Sequence, residues 1–107
     1  MKKEFIICAA CFYDDGIKYG NQPDNIEIGY VIAGRRHNNC IGMFAKIYGF
    51  PYNPEAKKIY STEIQGFLTN TNRFVNRQEA LIIATEANQL ILGEGNKNFG
   101  LFSEDLY

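Results

Sequence analysis

The stretch that decides the fold runs from Gln65 to Ala80, QGFLTNTNRFVNRQEA. Its opening finishes a strand-like run from Ile59 to Thr69, IYSTEIQGFLT. Asn70-Thr71-Asn72 is a compact polar turn of residues that bond their own backbone. Arg73-Phe74-Val75 is a short extended piece. Asn76 is a strong helix N-cap, and Glu79 three residues on completes a capping-box pattern in its Asn form. Ala80, Ile83, Ala84, Ala87, Leu90 and Ile91 then line one helical face over three turns, and Gly93 marks the stop.

Upstream, Glu4 to Tyr13 reads as a first strand, apolar on both faces. Asp14-Asp15-Gly16 is a turn signal with Gly supplying positive φ. Ile17 to Tyr19 begins a return strand, and Gly20 to Asn25 (GNQPDN) is a polar loop. In NIEIGYVIA (25–33), Ile26, Ile28, Tyr30 and Ile32 alternate as in a strand; 17–33 is either one strand with an inserted loop or two strands. After Gly34-Arg35-Arg36-His37, Asn38 or Asn39 caps a helix to about Tyr48. Its predicted buried stripe is Cys40, Met43, Phe44 and Ile47, and Gly49 and Pro51 end it. Tyr52 to Lys58 is read as a surface connection, Glu94 to Gly100 as loop, and Leu101 to Tyr107 (LFSEDLY) as a terminal segment of alternating character. The expected fold is α+β: a mainly antiparallel sheet with two α-helices packed on one face, as one small domain over residues 1–107.

Composition narrows the function classes. The chain has 107 residues, 46% hydrophobic and 21% charged, which is globular composition. Its net charge of −1 disfavours DNA or RNA polymers, whose phosphates call for a basic face. A small anion held by two or three arginines remains compatible. No run approaches the ~20 apolar residues that span a bilayer, and Glu4 interrupts the signal-like Lys2-Lys3 start, so a soluble protein is expected.

Cys8 and Cys11 form C-x-x-C, but residues three apart on a strand point to opposite faces. With Cys40 as the only other cysteine and His37 the only histidine, no zinc set is complete. The three thiols are expected to be reduced core residues in a reducing cytosol, with no metal or cofactor.

The candidate chemistry lies in three blocks. Arg35, Arg36 and His37 stand where a strand meets a helix start; they make either a solvated basic corner or an anion site, since guanidinium forks match phosphate oxygens. In the central block, Arg73 and Arg77 flank the second helix start. Phe67 and Phe74 offer faces for a base, and Gln65 and Asn76 offer amides for a base edge. Phe74 can equally be a hydrophobic staple, and Asn76 is already explained as a cap. Ser103, Glu104 and Asp105 form an acidic tip, able to accept from ribose hydroxyls or orient an arginine. There is no P-loop, no G-x-G-x-x-G, no H-E-x-x-H and no G-x-S-x-G. The residue types speak for binding over turnover, with no catalytic residue assigned. A small phosphodiesterase built on His37, or a protein-interaction module, are the alternatives.

Taken together, GRRH (34–37), the block QGF…RFVNRQEA and the closing LFSEDLY resemble a small phage protein family, the first-described type of Thoeris anti-defence proteins. The resemblance implies a phage or prophage protein acting in the bacterial cytoplasm. It implies a sponge that sequesters glycocyclic ADP-ribose, a cyclic ADP-ribose isomer made from NAD by TIR-domain enzymes, without cleaving it. It further implies homodimers or homohexamers with sites between protomers, and in some members separate pockets for cyclic di- or trinucleotides. Carried over residue by residue, Arg35, Arg36, His37, Phe67, Arg73, Phe74, Asn76, Arg77, Ser103, Glu104 and Asp105 would contact the ligand. The chain departs from the pattern at Ile17 to Gly29, where GNQPDN lengthens the hairpin, and at Asn72, where the turn would carry Gly.

Overall fold

Residues 3–91 and 99–107 are described by a computed structural model. Four strands form one antiparallel sheet in the order β2-β1-β3-β4: β1 (Ile6–Tyr13), β2 (Tyr30–Gly34), β3 (Ile64–Thr69) and β4 (Phe74–Asn76). The helices are α1 (His37–Tyr48), α2 (Pro54–Tyr60) and α3 (Arg77–Glu86), and a 3-10 turn spans Ser103–Asp105. The α+β class and the antiparallel sheet are as expected, with a third, short helix added. Among the described residues no helix is long and apolar enough to cross a membrane.

β1 is a continuous apolar run because it is central and, from Ala9 to Tyr13, buried or half-buried on both faces, while Ile7 near its start is exposed. Register puts Ala9 opposite Gly34 and Phe67, and Cys11 opposite Ile32 and Gln65. The face shared by Ala9, Cys11 and Tyr13 carries two core clusters. Ala9, Phe67 and Val75 pack with Ala80, Ile83 and Ala84 of α3 and with Leu101. Cys11 and Tyr13 pack with Cys40 and Phe44 of α1 and with Ala56 and Ile59 of α2. Both long helices therefore lie on one face of the sheet.

Residues 17–29 belong to the other face, and here the sequence reading is corrected. They form neither a return strand nor the first half of a long one; their ladder contact is a single bridge between Lys18 and Gly29. Gly29 adopts φ +89, and a Cβ there would stand 2.4 Å from the Tyr13 carbonyl oxygen and 2.9 Å from the Phe12 ring. The alternation through Ile28 thus breaks at a residue that only glycine can supply. The polar loop GNQPDN is instead a tied strap. Asn25 accepts a hydrogen bond from the Phe74 N–H (2.9 Å) and donates one to its carbonyl (2.6 Å), satisfying the outer edge of β4. Gln22 accepts from Val31 N–H of β2 (2.9 Å), and Asp24 N–H donates to Asn72 O (2.7 Å).

Helix boundaries shift for local reasons. α1 begins at His37, earlier than an Asn38 or Asn39 cap would place it, and the Asn39 side chain reaches back to accept from Arg36 N–H (2.9 Å). Its buried set is His37, Cys40 and Phe44, while Met43 and Ile47 are exposed, so the predicted stripe is rotated by part of a turn. Gly49, at φ +69, ends the helix. The segment read as a surface connection contains α2, where Asn53 caps Glu55 N–H and Pro54 occupies the first turn; Ile59 and Tyr60 belong to this helix and not to a strand. α3 carries the expected Asn76 cap to Glu79 N–H (2.8 Å) but ends at Glu86, leaving Leu90 half-buried and Ile91 exposed beyond it. The stop placed at Gly93, and residues 94–98 of the loop after it, lie outside the described residues. Asn72 adopts φ +62, a conformation asparagine tolerates better than most residues, so the turn works without glycine.

Candidate functional site

A cleft of about 330 Å³ opens where three distant pieces of chain meet. Its walls are Arg36, His37, Asn38 and Ile41 from the start of α1, Gln65 from β3, Arg77 from the start of α3, and Phe102, Ser103 and Glu104 from the closing segment. Sheet order explains the convergence. β2 leads into α1 and β4 leads into α3, and both helices lie on the face to which Gln65 also points.

Arg77 is the best-held group. One guanidinium nitrogen donates to Gln65 Oε1 (2.5 Å), and the other to Leu101 O (2.8 Å). The Leu101 N–H in turn donates to Arg77 O (2.8 Å), so segment and side chain fix each other. Gly100 makes this approach possible. It adopts φ +83, and a Cβ there would lie 2.6 Å from the Arg77 carbonyl. The guanidinium also lies over the Phe102 ring, 4.7 Å from its centroid. No carboxylate among the described residues pairs with Arg77. Burial pulls its pKa down from the usual value, yet arginine stays cationic, so a half-buried positive charge faces the cleft with neutral partners.

Arg36 lines the same cleft. It donates to Ser103 Oγ (3.1 Å) and to Tyr107 O (2.5 Å), lies over the Tyr107 ring at 5.0 Å, and has the Glu104 carboxylate 3.9 Å away. The backbone N–H of Glu104 itself, first of all, holds that carboxyl below the usual range, and Ser103 and Arg36 add to this. Glu104 is exposed at the rim, so its pull on Arg36 is weak and screened.

His37 is buried beneath them, edge-on to Phe67 with centroids 5.1 Å apart. Its Nε2 lies 2.8 Å from Gly66 O, and its Nδ1 lies 3.4 Å from an Arg77 nitrogen. A carbonyl can only accept and a guanidinium can only donate, so Nε2 carries the proton and Nδ1 the lone pair. Burial, first of all, lowers its pKa, and Arg77 adds to that. Gly66 itself is required by the neighbouring strand, since a Cβ there would meet the Val75 carbonyl oxygen of β4 at 2.1 Å.

Of the residues singled out in the sequence, Arg36, His37, Gln65, Arg77, Ser103 and Glu104 come together in the cleft. Arg35 stands at its edge, its guanidinium 5.4 Å from the Tyr107 centroid and its carbonyl accepting from Tyr107 Oη. Asp105 accepts from the Phe102 N–H (2.9 Å) and fixes the 3-10 turn. Phe67 is wholly buried in the core, and Phe74 is buried on the far face against Phe12. Arg73 is engaged by Glu4 through two bonds (2.9 and 2.8 Å) and by Glu79 (3.3 Å). Asn76 is occupied as the α3 cap. Those four lie outside the cleft wall for separate reasons: Phe67 shares the face of Gln65 but is covered in the core, Phe74 points to the far face, Arg73 is held by carboxylates and Asn76 by its cap. Phe102, Asn38 and Ile41 were not singled out as contacts. Asn38 reads as a helix cap and Ile41 as helix filling, while Phe102 carries a signal in its place directly before the acidic tip.

Among the described residues no group of His, Cys, Asp or Glu converges to hold a metal ion, and Cys8, Cys11 and Cys40 are free thiols. The model of one protein family, the phage T4 y16D protein, matches residues 5–107. Comparison with curated proteins and with solved structures finds no significant match. The chain belongs to the phage T4 y16D protein family, a phage protein as the three blocks imply.

Proposed function

We propose that this member of the phage T4 y16D protein family binds a small phosphate-bearing nucleotide signal and sequesters it without cleaving it. The ligand class that best fits the resemblance of the three blocks is the cyclic ADP-ribose isomer made by TIR enzymes, with cyclic di- or trinucleotides as relatives of the same chemistry. The observation that carries this reading is the meeting of all three blocks at one cleft, with Arg36 and Arg77 both in its wall. Two guanidiniums lining one cleft suit a pyrophosphate better than a neutral ligand. The half-buried setting of Arg77 strengthens each such contact, because less water competes for it.

The absence of cleavage is part of the proposal, and the state of His37 supports it. Its proton is committed to Gly66 O and its lone pair faces a cation, so it is poorly placed to move a proton to or from a substrate. A phosphodiesterase built on His37 would have to break both contacts first. A sponge instead needs slow release, and nanomolar binding corresponds to about −12 kcal/mol. A cleft of about 330 Å³ is near the lower limit of small-molecule sites, so a larger cyclic signal would project from it. Closure of that outer part by a second protomer belongs to the same proposal.

The test is to expose the protein to extract containing an activated TIR enzyme, re-isolate it, denature it by heat and weigh the released small molecules by mass spectrometry. Intact cyclic nucleotide is expected. Release of hydrolysed product would replace the sponge with an enzyme, and release of no nucleotide would remove the reading altogether.

A further inference from the structure

Phe102 is an apolar ring in a cleft otherwise lined mainly by polar groups. It belongs to neither core cluster, and 36% of its surface is exposed. Core packing therefore does not account for it. Yet its placement is fixed on every side that the fold controls. Its N–H donates to Asp105 Oδ2 (2.9 Å), and its carbonyl accepts from Asp105 N–H (2.9 Å). The preceding residue, Leu101, is buried and bonded in both directions to Arg77. One face of the ring is taken by the Arg77 guanidinium at 4.7 Å from the centroid. A rigid ring backed by a cation on one face and still exposed is half of a stacked sandwich.

We propose that Phe102 is the platform on which the base of the bound nucleotide stacks. This deepens the reading of the cleft as a nucleotide site and rests on it. Arg77 then serves both parts of the ligand. Its positive charge draws the phosphate, and its plane supports the ring that takes the base, so charge recognition and base recognition share one anchor. Asn38, exposed in the cleft wall, offers an amide of the kind that pairs with a base edge. The base is the flat group selected, because the two arginines of the same cleft require that it be carried by an anion. Asp105 is the positioning residue: it holds the backbone of Phe102 without reaching the ligand.

The matched pair that isolates this role is AMP and ribose 5-phosphate, which differ only in the base. Calorimetric titration of the wild-type protein should show AMP preferred by about tenfold or more, within the range that stacking on one ring contributes. Phe102→Leu should reduce that preference to within about twofold, read as the ratio of the two affinities so that any change through Arg77 affects both probes alike, and Phe102→Tyr should restore it. Phe102 is exposed, so the leucine variant is expected to fold, and an unchanged melting temperature checks that. Preference for AMP persisting in Phe102→Leu would overturn the platform and leave the nucleotide site standing. Equal wild-type binding of the two probes would do the same. Failure of the wild type to bind either probe would overturn both.

Discussion

Arg73 and Arg77 stand four residues apart at the same strand-to-helix junction, yet the fold gives them opposite situations. Arg73 faces the turn side and meets two carboxylates, Glu4 at 2.8 Å and Glu79 at 3.3 Å. That pairing is shared with Thr69 and Thr71, which also donate to Glu4 (2.7 and 2.5 Å), and the carboxyl is held at about 2, Arg73 being the main cause. Arg77 faces the cleft and meets an amide, a carbonyl, an imidazole lone pair and a ring, all neutral. An arginine already neutralised by two carboxylates has little field left for an incoming anion. One held only by neutral acceptors keeps its charge on offer, and here its direction is fixed as well. Residue type alone does not mark a binding arginine; the sign of its partners does.

The strongest way to break this contrast is to remove each arginine in turn. Arg77→Ala should weaken nucleotide binding by about 3 kcal/mol, roughly a hundredfold in Kd, as loss of a partly desolvated charged contact does. Arg73→Ala should leave Kd within about twofold and cost at most about 1 kcal/mol of stability, in the range of exposed ion pairs. Titration calorimetry reads the first and thermal melting the second; equal losses of binding would erase the distinction.

Gly100→Ala tests whether the posture of Arg77 matters as well as its charge. The new Cβ meets the Arg77 backbone in a left-handed conformation, so a loss of about 2 kcal/mol is expected, together with weaker binding. Gly16→Ala, also at positive φ but with open space around it, should lose less stability and leave binding intact.

Acid titration sharpens the turn side. Glu4 is ordinarily protonated near 4.5 and in the fold near 2, so its stabilisation is complete above about pH 4.5 and is lost as pH falls through about 2. Glu4→Gln should melt lower than wild type at pH 7 and the two should converge toward pH 2. Parallel curves would mean that Glu4 is not the group responsible.

The smallest effect expected is on the cleft side. Burial depresses the His37 pKa below its ordinary 6.5, so the unfolded chain takes up a proton that the fold refuses. Stability is complete above about pH 6.5 and declines below it, and His37→Gln should flatten that part of the profile. A decline of equal slope in the variant would assign it to another group.

The elements legible in the sequence are those whose signals are local. The Asn76 cap, the αL stop at Gly49 and the polar turn at 70–72 depend on a few adjacent residues. The short α2 was equally legible in Asn53-Pro54, a cap followed by the residue best suited to the first helical turn, but its charged composition resembles a loop. The regions misread are those where distant groups decide. Ile26 and Ile28 alternate like a strand, and it is the Phe12 ring and the Tyr13 carbonyl against Gly29 that end the pattern. Met43 and Ile47 fit a helical stripe, but α1 starts at His37, before either asparagine proposed as its cap, and turns His37 inward instead.

For the cleft, the chain's residue types by themselves set the expectation of a small anion in place of a polymer, and marked GRRH, the central block and the acidic ending as the stretches richest in polar chemistry. They could not determine which members face one another. Strand alternation, the rotation of α1 and the close approach that Gly100 permits decide that Arg36, Arg77 and Phe102 meet, while Phe67, Phe74 and Arg73 are spent on packing and pairing. Local propensity follows from neighbours in the chain. A site follows from neighbours in space, and only tertiary structure sets those.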